Sequence, residues 1–163
     1  MLLCPVPAFA GQGVQRMLYT PPNMAFVEQP SGGSVVTASD SSGSISTLQT
    51  SLNNARAANP NAVIVIQLLT NATYLVSSAG LVLGSHECLA AGSATIRAAN
   101  SSVTAPLITI ASASTNVSVA GGTLDAGGAN IEGIYAPSAA RVNVDKVIVK
   151  NCGLDCILLK GQG

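Results

Sequence analysis

Apolar positions along this chain change their period twice. Residues 11–43 are rich in Pro, Gly, Ser and Thr, show no apolar period, and read as an extended leader. Ile45, Leu48, Leu52 and Ala55 then recur at helical spacing, with Ser44 placed as an N-cap and Pro60 closing the segment. This predicts one short amphipathic helix. The β-branched run Val63-Ile64-Val65-Ile66 follows and predicts a buried strand.

From Leu81 onward the pattern repeats. The segments Leu89 to Ile96, Val117 to Leu124 and Val142 to Val149 each open with alternating small or aliphatic residues and place another aliphatic seven positions after the first, at offsets of 28 and 25 residues. A second register runs through Ile108, Ile134 and Ile157, offset by 26 and 23. Two registers advancing together make each repeat one coil with at least two strands. Alternation within each strand sends one set of side chains inward and the other to solvent. Helical repeats would need a period of 3.6, which Arg141 to Val149 does not show.

The expected fold is therefore all-β: a right-handed parallel β-helix, or solenoid, whose short N-terminal helix covers the open end of the stack. Gly121-Gly122, Gly127-Gly128 and Gly153 are placed as turns between strands. The division expected is a leader over 1–43 and a β-helix over 44–163. The sequence stops at Lys160-Gly161-Gln162-Gly163, directly after a strand, with no recognisable cap. The expectation is the N-terminal part of a longer solenoid, with pairing of the open coil to another chain as the alternative.

Composition agrees with this reading and narrows the partners. Of 163 residues 48% are apolar, only 9% are charged and 3% aromatic, with seven acids balancing seven bases. Zero formal net charge argues against nucleic acid or an anionic membrane as partner. No stretch approaches the roughly 18 to 20 apolar residues that cross a bilayer as a helix. Ala8-Phe9-Ala10 has the small-x-small form of a signal-peptidase site, so residues 1–10 are either the remnant of a signal peptide or a plain terminus. Cys4, Cys88, Cys152 and Cys156 allow three complete pairings, between which the sequence does not choose. Cys152 and Cys156 are near enough in sequence to bridge across a turn, with unpaired thiols buried in the stack as the expectation for them. Asn71, Asn100 and Asn116 stand in glycosylation sequons, which matter only if a eukaryote secretes the chain. The expected location is secreted, cell-surface or periplasmic.

Stacking the coils also predicts which polar residues are neighbours. Arg97, Asp125 and Lys150 each follow the aliphatic residue that ends the first register, so they should form an outward row of plus, minus, plus. That row is either a set of solvated ion pairs or a subsite that grips carboxylates of an acidic polysaccharide. Glu132 stands two positions before Ile134 and Asp155 two before Ile157, so these acids should share one place on adjacent coils. Paired carboxylates of this kind provide the proton donor and ionised partner that glycoside hydrolysis uses. His86 in Gly84-Ser85-His86-Glu87 reads as a turn residue, and Tyr74 and Tyr135 are candidates for stacking on sugar rings. No metal-ligand spacing, P-loop or dinucleotide fingerprint is present, and no cofactor is implied.

The run Asn116-Val117-Ser118-Val119-Ala120-Gly121-Gly122-Thr123-Leu124-Asp125, with Gly133-Ile134, Val142-x-Val144 and Ile157-x-Leu159, resembles the pectin-lyase-like superfamily of right-handed parallel β-helices over residues 44–163. Locally, Asn130-Ile131-Glu132-Gly133 is similar to the Asn-Thr-Asp-Gly motif of polygalacturonase-type hydrolases, and Leu154-Asp155-Cys156-Ile157 to their Asp-Asp-Cys motif. The resemblance implies catalytic carboxylates at Glu132 and Asp155, although Leu154 replaces the first acid of the pair and the chain ends before the Gly-His-Gly and Arg-x-Lys motifs. The function expected is binding of a uronic-acid-type polysaccharide and its cleavage by a hydrolase or lyase. A non-catalytic adhesin or tailspike-like scaffold is the alternative.

Overall fold

The computed structural model of the chain describes residues 35–39, as backbone, and 43–161. The elements are β1 (Val35–Ser39), α1 (Ile45–Ala58), β2 (Val63–Gln67), β3 (Thr73–Val76), β4 (Leu81–Leu83), β5 (Glu87–Ala98), β6 (Ile108–Ile110), β7 (Ser114–Asp125), β8 (Ile134–Ala136), β9 (Ala139–Asp145), β10 (Ile148–Lys150) and β11 (Ile157–Leu159). All strand pairings between them are parallel. One sheet runs β1-β2-β5-β7-β10, with β3 also on β5 and β9 also on β7, and the other runs β4-β6-β8-β11. This is a parallel β-solenoid of about four turns.

Its interior is built from rows of aliphatics. Leu81, Ile108, Ile134 and Ile157 lie one above another across the smaller sheet, and Tyr74, Ile96, Leu124 and Val149 across the larger. Each fully buried Leu or Ile contributes about 1.5–3 kcal/mol, so the rows hold the sheets face to face. Tyr74 belongs to this interior: it is fully buried, and its hydroxyl accepts the Leu69 N–H at 3.0 Å. It is therefore not a surface for sugar stacking, because its position follows the inward phase of β3.

The helix matches its expected bounds, with the Ser44 side chain accepting the Thr47 N–H at 3.3 Å and Leu48 and Leu52 fully buried. Its polar side chains complete the cap. Among the described residues β4 has a strand on one side only, and the other edge of Val82 is met by α1: the Val82 N–H donates to Gln49 Oε1 at 2.8 Å, and Arg56 Nη2 donates to the Val82 carbonyl at 2.8 Å. Two side chains thus satisfy both backbone groups of Val82 on the edge that faces the helix.

Three features differ from the sequence reading. The larger sheet begins before the helix, because β1 lies in the stretch read as leader and pairs in register with β2; Cys4 and the Ala8-Phe9-Ala10 pattern lie outside the described residues. The partner of Leu89 is Val119 rather than Val117, although Ile96 does meet Leu124. Register shifts at Ala90/Gly92 and Gly92/Thr95 absorb the two-residue difference, and such bulges leave no mark on the apolar period. Finally, Gly121 and Gly122 form a corner inside the continuous strand β7, not a turn between strands. Gly122 has φ +78°, and an added Cβ would meet Ala91 Cβ at 2.6 Å.

Candidate functional site

Because Ile96, Leu124 and Val149 point inward, Arg97, Asp125 and Lys150 emerge on the outer face of β5, β7 and β10. The strand register sets them opposite one another, with Leu75 of β3 beyond Arg97. The structure therefore brings the expected row together. Asp125 sits in its middle and is nearly enclosed, with a side-chain exposure of 12%, against 56% for Arg97 and 51% for Lys150. Oδ1 of Asp125 accepts the Asn151 amide at 2.8 Å and the Gly127 N–H at 3.0 Å. Oδ2 faces Arg97 Nε at 3.9 Å and Lys150 Nζ at 3.8 Å.

These distances divide the labour. Enclosure alone would push the Asp125 carboxyl up, but the Asn151 amide, the Gly127 N–H, and then the Lys150 and Arg97 charges outweigh it and hold the group below its ordinary value. The anion is thus secured mainly by hydrogen bonds. The cations make only long contacts and keep most of their surface in water, so they remain available to a solute. Asn151 escaped the sequence reading, although it directly follows Lys150 and extending the row by one residue reaches it. Its backbone is left-handed, with φ 57°, a conformation that Asn tolerates better than most residues.

Glu132 and Asp155 take corresponding places on adjacent coils. The Leu154 N–H donates to the Ile131 carbonyl and the Gly133 N–H to the Cys156 carbonyl, which leaves Asp155 beside Glu132 on the adjacent coil. Glu132 is half-buried and Asp155 exposed. They precede strands of the smaller sheet, whereas the Arg97–Asp125–Lys150 row belongs to the larger, and no described hydrogen bond or ion pair joins the two groups. Tyr135, next along β8, is half-exposed with Lys160 Nζ 6.0 Å from its ring centre.

Two further clusters frame the site. Glu87 is buried and receives Arg56 through both oxygens, Nε at 2.6 Å and Nη2 at 2.8 Å, while the Gly84 N–H donates to Oε2 at 2.7 Å. This is a structural lock between α1 and β5, and a lone acid buried at a strand start carries no local signal of its partner. His86 is a left-handed turn residue with φ 61°, its Nδ1 3.5 Å from Asn116 Nδ2. Cys88 is buried and disulfide-bonded, whereas Cys152 and Cys156 are free, as expected of them, though only half-buried. Among the described residues no cluster of three or more His, Cys, Asp or Glu could hold a metal ion. Nor is any described helix long and apolar enough to cross a membrane.

Comparison with protein-family models, curated proteins and solved structures found no match to this chain.

Proposed function

We propose that this chain is an extracytoplasmic β-solenoid that binds an acidic, uronic-acid-type polysaccharide along the Arg97–Asp125–Lys150 row. The observation that carries this reading is the division of roles around Asp125. Asn151 and Gly127 hold the carboxylate, so the flanking cations are spaced by the sheet without being consumed by it. Two strands apart is about 9.6 Å, twice the inter-strand spacing. A polymer lying across the strands would present its carboxylates to both cations, and the exposed Leu75 at the end of the row offers an apolar patch for a sugar ring. The disulfide at Cys88 supports an oxidising compartment.

The test is affinity electrophoresis through gels containing polygalacturonate or neutral dextran. Retardation by polygalacturonate alone is expected, weakening as salt is raised and lost in the Arg97→Ala/Lys150→Ala double variant. Equal mobility in both gels would reject the reading.

The adjacency of Glu132 and Asp155 favours a second step, hydrolysis of the bound chain by the polygalacturonase-like chemistry that the local resemblance implies. One carboxyl would protonate the leaving glycosidic oxygen while the other activates water. New reducing ends should appear from polygalacturonate with the unaltered chain and not with Glu132→Gln. Retention of the polymer at unchanged length would identify a binding scaffold instead.

A further inference from the structure

The arc between β10 and β11 holds a feature that polysaccharide binding does not use. Cys152 and Cys156 stand four residues apart on this arc, and their sulfurs are 2.6 Å from each other. That is within about 0.6 Å of a sulfur–sulfur bond. The Cys156 thiol donates to Cys152 Sγ, and the Cys152 thiol in turn donates to the Lys150 carbonyl at 3.6 Å. The arc is held from below. An added Cβ at Gly153 would meet Asn130 Cα at 2.7 Å, and one at Gly133 would run into Val149 Cγ1 and meet the Cys156 carbonyl at 2.7 Å, so both glycines let the coils close up. The Gly153 N–H donates to Ala129 and the Leu154 N–H to Ile131, which pins the arc between the two cysteines. Both thiols keep some access to solvent.

We propose that Cys152 and Cys156 form a dithiol–disulfide site, oxidised by a low-molecular-weight disulfide, that clamps the arc between β10 and β11. In the first exchange, the Cys156 thiolate attacks one sulfur of the small disulfide, forming a mixed disulfide and expelling one thiolate. In the second, Cys152 attacks Cys156 Sγ and expels the other. Two protein thiols are oxidised, one small disulfide is reduced to two thiols, and the two protein protons pass to the departing thiolates. Burial and the neighbouring Cys156 push the Cys152 thiol up to about 12, which disfavours it as the first nucleophile. Masking Cys156 as a mixed disulfide removes one of those two causes. The closed clamp would hold Asn151, which donates to Asp125, and Asp155, which stands beside Glu132.

The sequence makes the test direct. Trypsin cutting after Lys150 and Lys160 releases both cysteines in one peptide, Asn151 to Lys160. The full chain is incubated with oxidised glutathione, quenched in acid, alkylated with iodoacetamide in denaturant and digested. The expected peptide carries no alkyl group and is lighter than the dithiol by two hydrogen atoms, and reduction restores double alkylation. In Cys152→Ser, glutathione should remain on Cys156. Hydrogen exchange of the 151–156 amides should slow in the oxidised chain. A wild-type peptide that stays doubly alkylated, that retains glutathione, or that is linked to Cys4 or Cys88 would overturn the proposal.

Discussion

The first and last described coils of the solenoid differ in how their interiors are covered. At the first, α1 lays Leu48 and Leu52 over the interior, and Gln49 and Arg56 supply partners to the free edge of β4. At the other, β10 and β11 are the outermost described strands of their sheets, and among the described residues the inward phase stands uncovered there: Ile157 is 42% exposed and Leu159 46%. In the same row, Ile134 and Ile108 are fully buried. An aliphatic in the interior phase thus contributes its full burial only when another layer covers it.

The ionic groups follow the same contrast. Glu87, at the capped end, is buried in a forked pair with contacts of 2.6 and 2.8 Å. Asp125, toward the other end, faces cations at 3.8 and 3.9 Å that stand largely in water. The first pair is part of the architecture, because Glu87 left alone would be a buried charge without its counterpart. The second leaves its cations free, which is what a binding surface for an anionic polymer requires.

The sharpest way to break this comparison is to truncate the same kind of side chain at each end. Leu52→Ala should cost about 2–5 kcal/mol, as expected for a fully buried leucine. Ile157→Ala should cost about 1 kcal/mol, because much of that side chain is already hydrated. Urea denaturation would measure both, and equal losses would show that the end coil is covered in solution. Arg56→Ala comes next, at about 3 kcal/mol, because it strands the Glu87 carboxylate beside the Gly84 N–H alone.

Acid should act on the Asp125 end. The carboxyl is held below its ordinary value of 3.8, so the stability it supplies is complete above that value and is lost as pH falls through the lower folded value. Urea midpoints measured between about pH 5 and pH 2 should fall less steeply in Asp125→Asn than in the unaltered chain. A parallel decline in both would show that the hydrogen bonds from Asn151 and Gly127 do not favour the anion. The smallest effect on stability belongs to Arg97→Ala or Lys150→Ala, about 0–1 kcal/mol each. Those same substitutions should give a large loss of polygalacturonate binding, which separates the role of the cations from that of Asp125.

Much of the site is legible in the sequence. Period-2 alternation fixes which residues face out, and the repeat offsets fix which outward residues are neighbours, so the Arg97–Asp125–Lys150 row and the Glu132–Asp155 adjacency both follow from spacing. The alignment of Leu89 with Val117 fails because β5 bulges around Gly92, and a bulge changes the count of residues without changing their hydrophobicity. Tyr74 is misplaced by sequence because its inward phase shows only once β3 is set against β5, where Tyr74 meets Ile96. The forked Arg56–Glu87 contact spans 31 residues and depends on where the helix comes to rest. Nothing local to either residue announces it.

The chain alone therefore determined the helix, the coil repeat and the order of side chains along each outward row, because these depend on periodicities of a few residues and on parallel stacking that preserves them. Tertiary structure decided how the β4 edge is closed, that Asn151 rather than a cation grips Asp125 most closely, and that the sulfurs of Cys152 and Cys156 touch. Each of these is set by how far one coil or helix slides over the next. A displacement of an ångström or two makes or removes such a contact, and no local pattern of residues records it.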